Sequence, residues 1–298
     1  SPILYGSDGS IEGGDFVGYY SHQADFFFQV VFVATAMSIV SGAVAGRMKL
    51  LPFFLFAIIL TGFIYPIQGY WNWGGGFLSS NGYSDYAGSG TVHLCGAAAA
   101  LAVVMVLGPR KGKYSYDGSS MPMPGSNIPM AALGAWILWL GWFGFNGGSQ
   151  LAIGTAPDAI AVSKIFINTL LAGAGGVMAA AAVTRLSGKT DVVQMLNGCI
   201  GGLVAITAEP LMPSPFASIL IGAVGGIIVV YGTKMLFALK IDDVVGAVPA
   251  HLFAGIWGTL IVPATNSGAN FGTQLLGVIS INAFVFVAAF IVWSLMKA

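Results

Sequence analysis

The sequence predicts an all-α polytopic membrane protein, and three observations carry that prediction. Hydrophobic residues make up 56% of the 298-residue chain and charged residues only 7%, against roughly 25% charged in a soluble domain. Apolar runs of about 20 residues, the length that crosses hydrocarbon, recur from one end to the other. Glycine, at 43 residues, is as abundant as close helix packing in lipid favours. The formal net charge is zero and no basic stretch occurs, so nothing points to a nucleic-acid partner.

Nine spans can be read in order. The first, 25–46, opens at Asp25 and stops before Arg47 and Lys49; the second, 50–71, runs on to Trp71-Asn-Trp73-Gly-Gly-Gly-Phe. The third, 87–108, follows Asp85 and ends before Arg110, Lys111 and Lys113; the fourth, 128–147, closes in Asn146-Gly-Gly-Ser149. The fifth, 160–185, ends at Arg185, with Lys189 beyond it; the sixth and seventh cover 192–208 and 216–238, and Lys240 follows. The eighth, 243–263, opens at Asp243, and the ninth, 270–296, ends at Lys297. Residues 1–24 are then a segment ahead of one transmembrane domain, 25–298.

The basic residues give the orientation, because cytoplasmic loops carry the excess of Lys and Arg. Ten of the eleven, from Arg47 to Lys297, fall on one side of the nine-span scheme. The other side, including residues 1–24, carries none. Lys164 alone departs, near the outer end of its span, where its chain can snorkel. The reading places the protein in the cytoplasmic membrane with the N-terminus outside and the C-terminus inside. The chain opens Ser-Pro-Ile-Leu without a methionine or a basic stretch leading an apolar one. That is no signal peptide, and an upstream piece is expected to have been removed. Cys95 and Cys199 both lie inside apolar runs, which favours packing over a disulfide.

One pattern occurs twice. Asp85-Tyr-Ala-Gly88 leads to His93-Leu94, and Asp243-Val-Val-Gly246 leads to His251-Leu252 with the same offsets. The chain has only three histidines. Eight residues of helix rise about 12 Å, so the two imidazoles approach the middle of a hydrocarbon layer about 30 Å thick from opposite faces. Inverted repeats that build a site at the bilayer centre are a known transporter plan. A single histidine here would be a packing residue. Two at matched depth point to a pathway or proton relay, and if their helices pack side by side the rings can touch. Metal binding is poorly supported, since no Glu, Asp or Cys stands at a matching offset to complete a zinc site. The aspartates read mainly as helix caps, Asp242 and Asp243 included. Asp85 has a second claim, as an anion that attracts cations at an outer mouth.

Aromatic residues gather toward the outer ends of the spans. Interfacial belts account for many of them, Trp71 among these. Trp73 and Phe145 differ because glycines flank them and permit close approach to a small ligand. An aromatic face binds a desolvated cation by about 2 kcal/mol or more, so Trp73 could hold a small cation beside the Ser149 hydroxyl. Phe32 lies roughly 10 Å into the first span, and Trp142 belongs to the fourth.

At this point the chain resembles the ammonium transporter family, which includes the Rhesus proteins. The matching segments are Gly42-Ala-Val-Ala-Gly-Arg47, Trp73-Gly-Gly-Gly-Phe77, Asp85 through His93, and Leu140 through Ser149. Asn168-Thr169, Asn197-Gly198, Gly202 through Thr207, and Asp242-Asp243 through His251 follow in family order. The resemblance implies an eleven-span fold with a five-span inverted repeat, assembled as a homotrimer, one pore per subunit. It implies an outer ammonium site of Trp73 and Ser149 with Phe32 adding a ring and Asp85 shaping it. Phe32 and Phe145 would be the stacked phenylalanine gate, His93 and His251 the paired pore histidines, and Trp142 a wall residue further in. Against the family pattern, the resemblance implies a fragment that lacks the first two spans and the C-terminal tail, and Gly246 stands where many members carry an aspartate.

The expected function is therefore ammonium or ammonia transport, not enzymatic and without metal or cofactor. Moving a bare ion into hydrocarbon costs tens of kcal/mol and a neutral polar molecule roughly 2–7, so the ion is expected to shed its proton past the phenylalanines. The imidazole pair should rest uncharged, share one hydrogen bond and relay the proton. The alternative is an ammonium-sensing module fused to a signalling domain, and a cytoplasmic regulator is the other partner expected. No nucleophile–base pair or metal constellation supports a membrane enzyme.

Overall fold

The computed structural model describes residues 16, 17 and 20–297. Most of the expected leading segment 1–24 lies outside them, apart from a two-residue antiparallel pairing of Phe16–Val17 with Tyr20–Ser21. Among the described residues, seven helical segments are long and apolar enough to cross a membrane, and two shorter apolar ones join them. In chain order these are α1 (His22–Val44), α2 (Leu50–Ile59, passing through a π-helical turn at Leu60–Ile64 into Tyr65–Asn72), α3 (Ser89–Leu107), α4 (Ile128–Gly148), α5 (Ala156–Leu186), α6 (Val192–Thr207), α7 (Pro215–Ala238), α8 (Val248–Ala264) and α9 (Phe271–Lys297). The protein is an all-α polytopic membrane fold.

Helix starts follow their caps, and the caps explain where hydropathy alone misplaces a boundary. Ser21 accepts from the Ala24 amide, so α1 begins three residues ahead of the expected 25. Thr155 caps α5 and Pro157 sits in its first turn, so that helix begins four residues ahead of 160; its polar opening turn hides it from an apolar window. Asn127, Asp191 and Ser214 cap α4, α6 and α7 in the same way. The eighth span departs the other way. Its helix starts at Val248, five residues after Asp243, because Gly246 takes a left-handed φ of +79° and ends a capping loop there.

Two tight bundles frame the site. α3 is the most buried of the long segments, packed between α1 and α9, with Gly96 so close that a methyl there would lie 2.5 Å from the Ala36 carbonyl oxygen. α5, α6 and α7 form the other: a methyl on Gly176 would stand 2.1 Å from the Gly198 oxygen, and one on Gly226 2.3 Å from the Gly176 oxygen. Small residues let these backbones touch, which is how helices gain van der Waals contact in lipid. α8 closes on α3, with Gly255 against the Ser89 carbonyl, while the Ser89 hydroxyl donates to Val204 of α6. Large apolar side chains such as Phe27, Trp136 and Leu140 point outward, as lipid-facing surfaces require.

Candidate functional site

Both copies of the repeat fold into the same local device. Gly88 and Gly246 take positive φ, +106° and +79°, which only glycine adopts without strain. Each is followed by a π-helical turn, Ser89–Leu94 and Val248–Phe253, that carries the histidine. The His93 amide bonds to the Gly88 carbonyl at 3.0 Å, one residue beyond the α-helical reach. Such turns inside helices are frequent at functional positions. The aspartate of each copy bonds backbone amides at the start of its helix: Asp85 accepts from Gly88, Gly90 and Thr91, and Asp243 from Val248.

The histidines meet. His93 is fully buried, and its Nδ1 lies 3.1 Å from Nδ1 of His251. At that distance one nitrogen donates and the other accepts, so the two rings cannot both be doubly protonated. The two rings lie 5.1 Å apart by centroid at 26°. Nε2 of His93 has no partner among the described residues.

A continuous column of rings leads to that pair. Trp73 and Phe32 meet edge to face at 5.7 Å, and Phe32 and Phe145 lie 4.3 Å apart. Phe145 stacks on His93 at 5.4 Å, and Trp142 stacks on the same imidazole at 5.1 Å and 14°. Phe32 and Phe145 are tilted at 55° rather than stacked in parallel, an arrangement that ring quadrupoles prefer to a face-to-face sandwich. Trp73 is held by its indole N–H, which donates to the Asp85 carbonyl at 3.0 Å; Trp142 donates to the Thr207 hydroxyl at 2.8 Å. Two expected residues stand differently. The Ser149 hydroxyl donates back to the Phe145 carbonyl, and the Asp85 carboxylate is turned wholly into its own loop, taking the Thr91 hydroxyl as well as three amides. Asp85 meets the column through its backbone carbonyl and not through its charge. Trp71 packs aside, on Phe77 and Phe284.

The fold that carries these features is shared with known proteins. A family model described as the Ammonium Transporter Family matches residues 15–298. The chain belongs to the ammonium transporter family. It is 47% identical over 246 residues to Ammonium transporter Amt2 of Archaeoglobus fulgidus, covering 79% of this chain and 52% of that protein. With Ammonium transporter Amt1 of Haloferax mediterranei it shares 37% identity over 309 residues, 94% of this chain and 60% of the relative. The chain thus spans little more than half the length of these two family members. Among solved structures, a sensor Amt protein superposes with a TM-score of 0.88 at 34% identity, covering 93% of this chain and 72% of that one. The crystal structure of Candida albicans Mep2 gives 0.82 at 27%, covering 91% and 63%.

At the opposite end of the family fold the structure corrects one reading. Asp242 does not cap a helix. Its fully buried carboxylate accepts from the Arg110 amide at 2.8 Å and from Arg110 Nε and Nη2 at 2.8 and 2.9 Å, with Arg47 at 3.5 Å. Arg47 also donates to the Asp242 carbonyl at 2.6 Å. Burial alone would raise this carboxyl; the Arg110 hydrogen bonds, then the charges of Arg110 and Arg47, hold it below its ordinary value. Asp243 alone keeps the capping role. Sequence spacing could not separate the two neighbours, because the arginines come from loops 195 and 132 residues away.

Proposed function

We propose that the protein conducts ammonium nitrogen across the cytoplasmic membrane, capturing the cation at Trp73 and passing the neutral molecule along the histidine pair. The observation that carries this is the unbroken ring column from Trp73 to His251 in a member of the ammonium transporter family. Trp73 and Phe32 offer ring faces to a cation, and the Ser149 hydroxyl, whose own proton goes to the Phe145 carbonyl, has lone pairs to accept one of its hydrogens. Phe32 and Phe145 act as the gate, since their contact excludes a hydrated ion. Losing the proton there lowers the cost of entering hydrocarbon from tens of kcal/mol to roughly 2–7. His93 Nε2, buried and unpartnered, is free to bond ammonia, and the bonded Nδ1 pair offers a path for the proton. Trp142 walls the imidazole and Asp85 shapes the entrance by holding Trp73. The Trp73 end faces outward and the arginine-rich end faces the cytoplasm, by the distribution of Lys and Arg. The functional unit is a homotrimer.

Replacing both His93 and His251 by alanine tests the relay: ammonium uptake and current in proteoliposomes should fall together, and unchanged current rejects the role. A second reading is favoured by the likeness to a sensor Amt protein. In that reading ammonium binding at the Trp73 end, without flux, controls a signalling partner on the cytoplasmic side. Binding measured without uptake would select it.

A further inference from the structure

We propose that Tyr86, Gln150 and Asp158 form a clasp that sets the spacing of the capture site, and that they are positioning residues for ammonium affinity and selectivity. The proposal rests on the assignment of Trp73 and Ser149 to that site. The two loops carrying the site are otherwise remote in sequence. Tyr86 directly follows Asp85, whose carbonyl holds the Trp73 indole; Gln150 directly follows Ser149. The Tyr86 hydroxyl donates to the Gln150 side-chain carbonyl, and this bond joins the loops. The Gln150 amide nitrogen donates to Asp158 Oδ1 at 3.3 Å. A carboxylate only accepts, so this contact fixes which way the amide faces.

Each end of the clasp is anchored. The Tyr86 amide donates to the Ala208 carbonyl at 2.8 Å and the Ala87 amide to Thr207 at 3.0 Å. Thr207 in turn accepts the Trp142 indole, so the Tyr86 loop is tied to the wall of the histidine pair. Asp158 is fixed in the first turn of α5 by the Thr155 hydroxyl at 2.6 Å. Between the anchors, the backbone is strained. Leu151 has a φ of +59°; among the described residues the other left-handed positions are glycines, Lys240 excepted. Such conformations persist where the surroundings over-determine them, and they cluster at binding sites. Here the Gln150 and Leu151 amides are drawn back to the Gly147 and Gly148 carbonyls at 3.2 and 2.9 Å. That turn carries Ser149 and aims Gln150 at Tyr86. Three half-buried side chains thus hold the Trp73 loop and the Ser149 turn at one separation. A cation of ammonium size has little tolerance for a wider one.

The test measures ammonium and methylammonium uptake in proteoliposomes for Tyr86→Phe, Gln150→Leu, the double variant and Trp73→Leu. Gln150→Leu should raise the half-saturation concentration for ammonium about 5-fold, with maximal rate within about twofold per inserted protein; Tyr86→Phe should raise it about 3-fold, in line with one lost hydrogen bond. The double variant should match Gln150→Leu alone, because both break one link. Preference should move toward methylammonium. Gln150→Glu should weaken capture by setting two carboxylates together, and adding Asp158→Asn should restore it, since the exchanged pair regains a donor and an acceptor at constant charge. A clasp that only stabilises the fold would lower the amount of inserted protein and leave half-saturation and selectivity unchanged; that result overturns the proposal. So does failure of the exchanged pair to recover affinity. If Trp73→Leu itself leaves half-saturation unchanged, the capture site is misassigned and the clasp falls with it. If Gln150→Leu does not insert, the Tyr86→Phe result decides, being loss of one hydroxyl.

Discussion

The Asp85 loop and the Asp243 loop begin with the same residues at the same offsets, yet they are held by different physics. Asp85 has its carboxylate filled by four donors, at 3.2, 3.1, 2.7 and 2.8 Å, all from its own loop. Asp243 accepts one amide at 2.7 Å, and its Oδ1 has no partner among the described residues. The second loop gets its rigidity from the neighbouring Asp242 and two arginines. The first has no ion pair among the described residues and instead anchors an indole, Trp73. A shared local pattern therefore fixes the turn and the histidine, while surrounding helices decide whether its end becomes an aromatic clamp or an ionic knot. That asymmetry suits the proposed capture on one side and release on the other.

The comparison is broken most severely at Asp85. Asp85→Ala strands four donors in a buried loop and should cost about 3–5 kcal/mol, at about 1–3 for each buried group left unpaired and with partial relief by rearrangement. Thermal unfolding in detergent measures this, and a loss near 1 kcal/mol would contradict the four-donor picture. Next comes Asp242→Ala, which leaves two half-buried guanidiniums without their acceptor; about 2–4 kcal/mol is expected. Asp243→Ala in parallel should cost only about 1 kcal/mol, in keeping with one hydrogen bond. Equal losses at 242 and 243 would mean that both are caps after all.

The two glycines sharpen the contrast further. Gly88→Ala strains a left-handed position and drives a methyl to 2.5 Å from Val92 and 3.1 Å from Trp73. It should destabilise by about 1–3 kcal/mol and also weaken ammonium capture. Gly246→Ala meets the Asn197 side-chain amide at 2.7 Å, which can yield only by releasing its bond to the Val245 carbonyl, so a loss of about 1–2 kcal/mol without change in capture is expected. Acid gives the smallest effect. Asp242 has its carboxyl lowered in the folded protein, so its stabilising contribution is complete at neutral pH. It is lost only as pH falls below about 4, the ordinary aspartate value, and on through the depressed one. In Asp242→Asn this acid-dependent loss should disappear from melting curves recorded across that range.

How far the site could be read from the chain depends on how local each determinant is. The nine apolar segments were legible because twenty apolar residues need no partner to be recognised, and helix starts moved most where Ser21, Thr155 or Gly246 reset them. The meeting of His93 and His251 was legible as a condition: equal offsets give equal depth, but nothing in the spacing brings α3 beside α8. The phenylalanine tilt, the ionic role of Asp242 and the Tyr86–Gln150 bond were hidden, since each joins residues 64 to 195 positions apart. A polar residue next to a singled-out one, Tyr86 after Asp85 and Gln150 after Ser149, was the only local trace of the clasp.

By itself the sequence determined the membrane-spanning class, the order and number of helical segments, and the two glycine turns that start the histidine helices. These follow from hydropathy and backbone sterics, which act over a few residues. The tertiary structure alone decided which aspartate became a cap and which an ion-pair centre, and which rings formed a column. It also decided that the two histidines touch. Those outcomes depend on the close approach of helices at their glycines, and a contact between distant segments has no energy until the fold brings its two sides together.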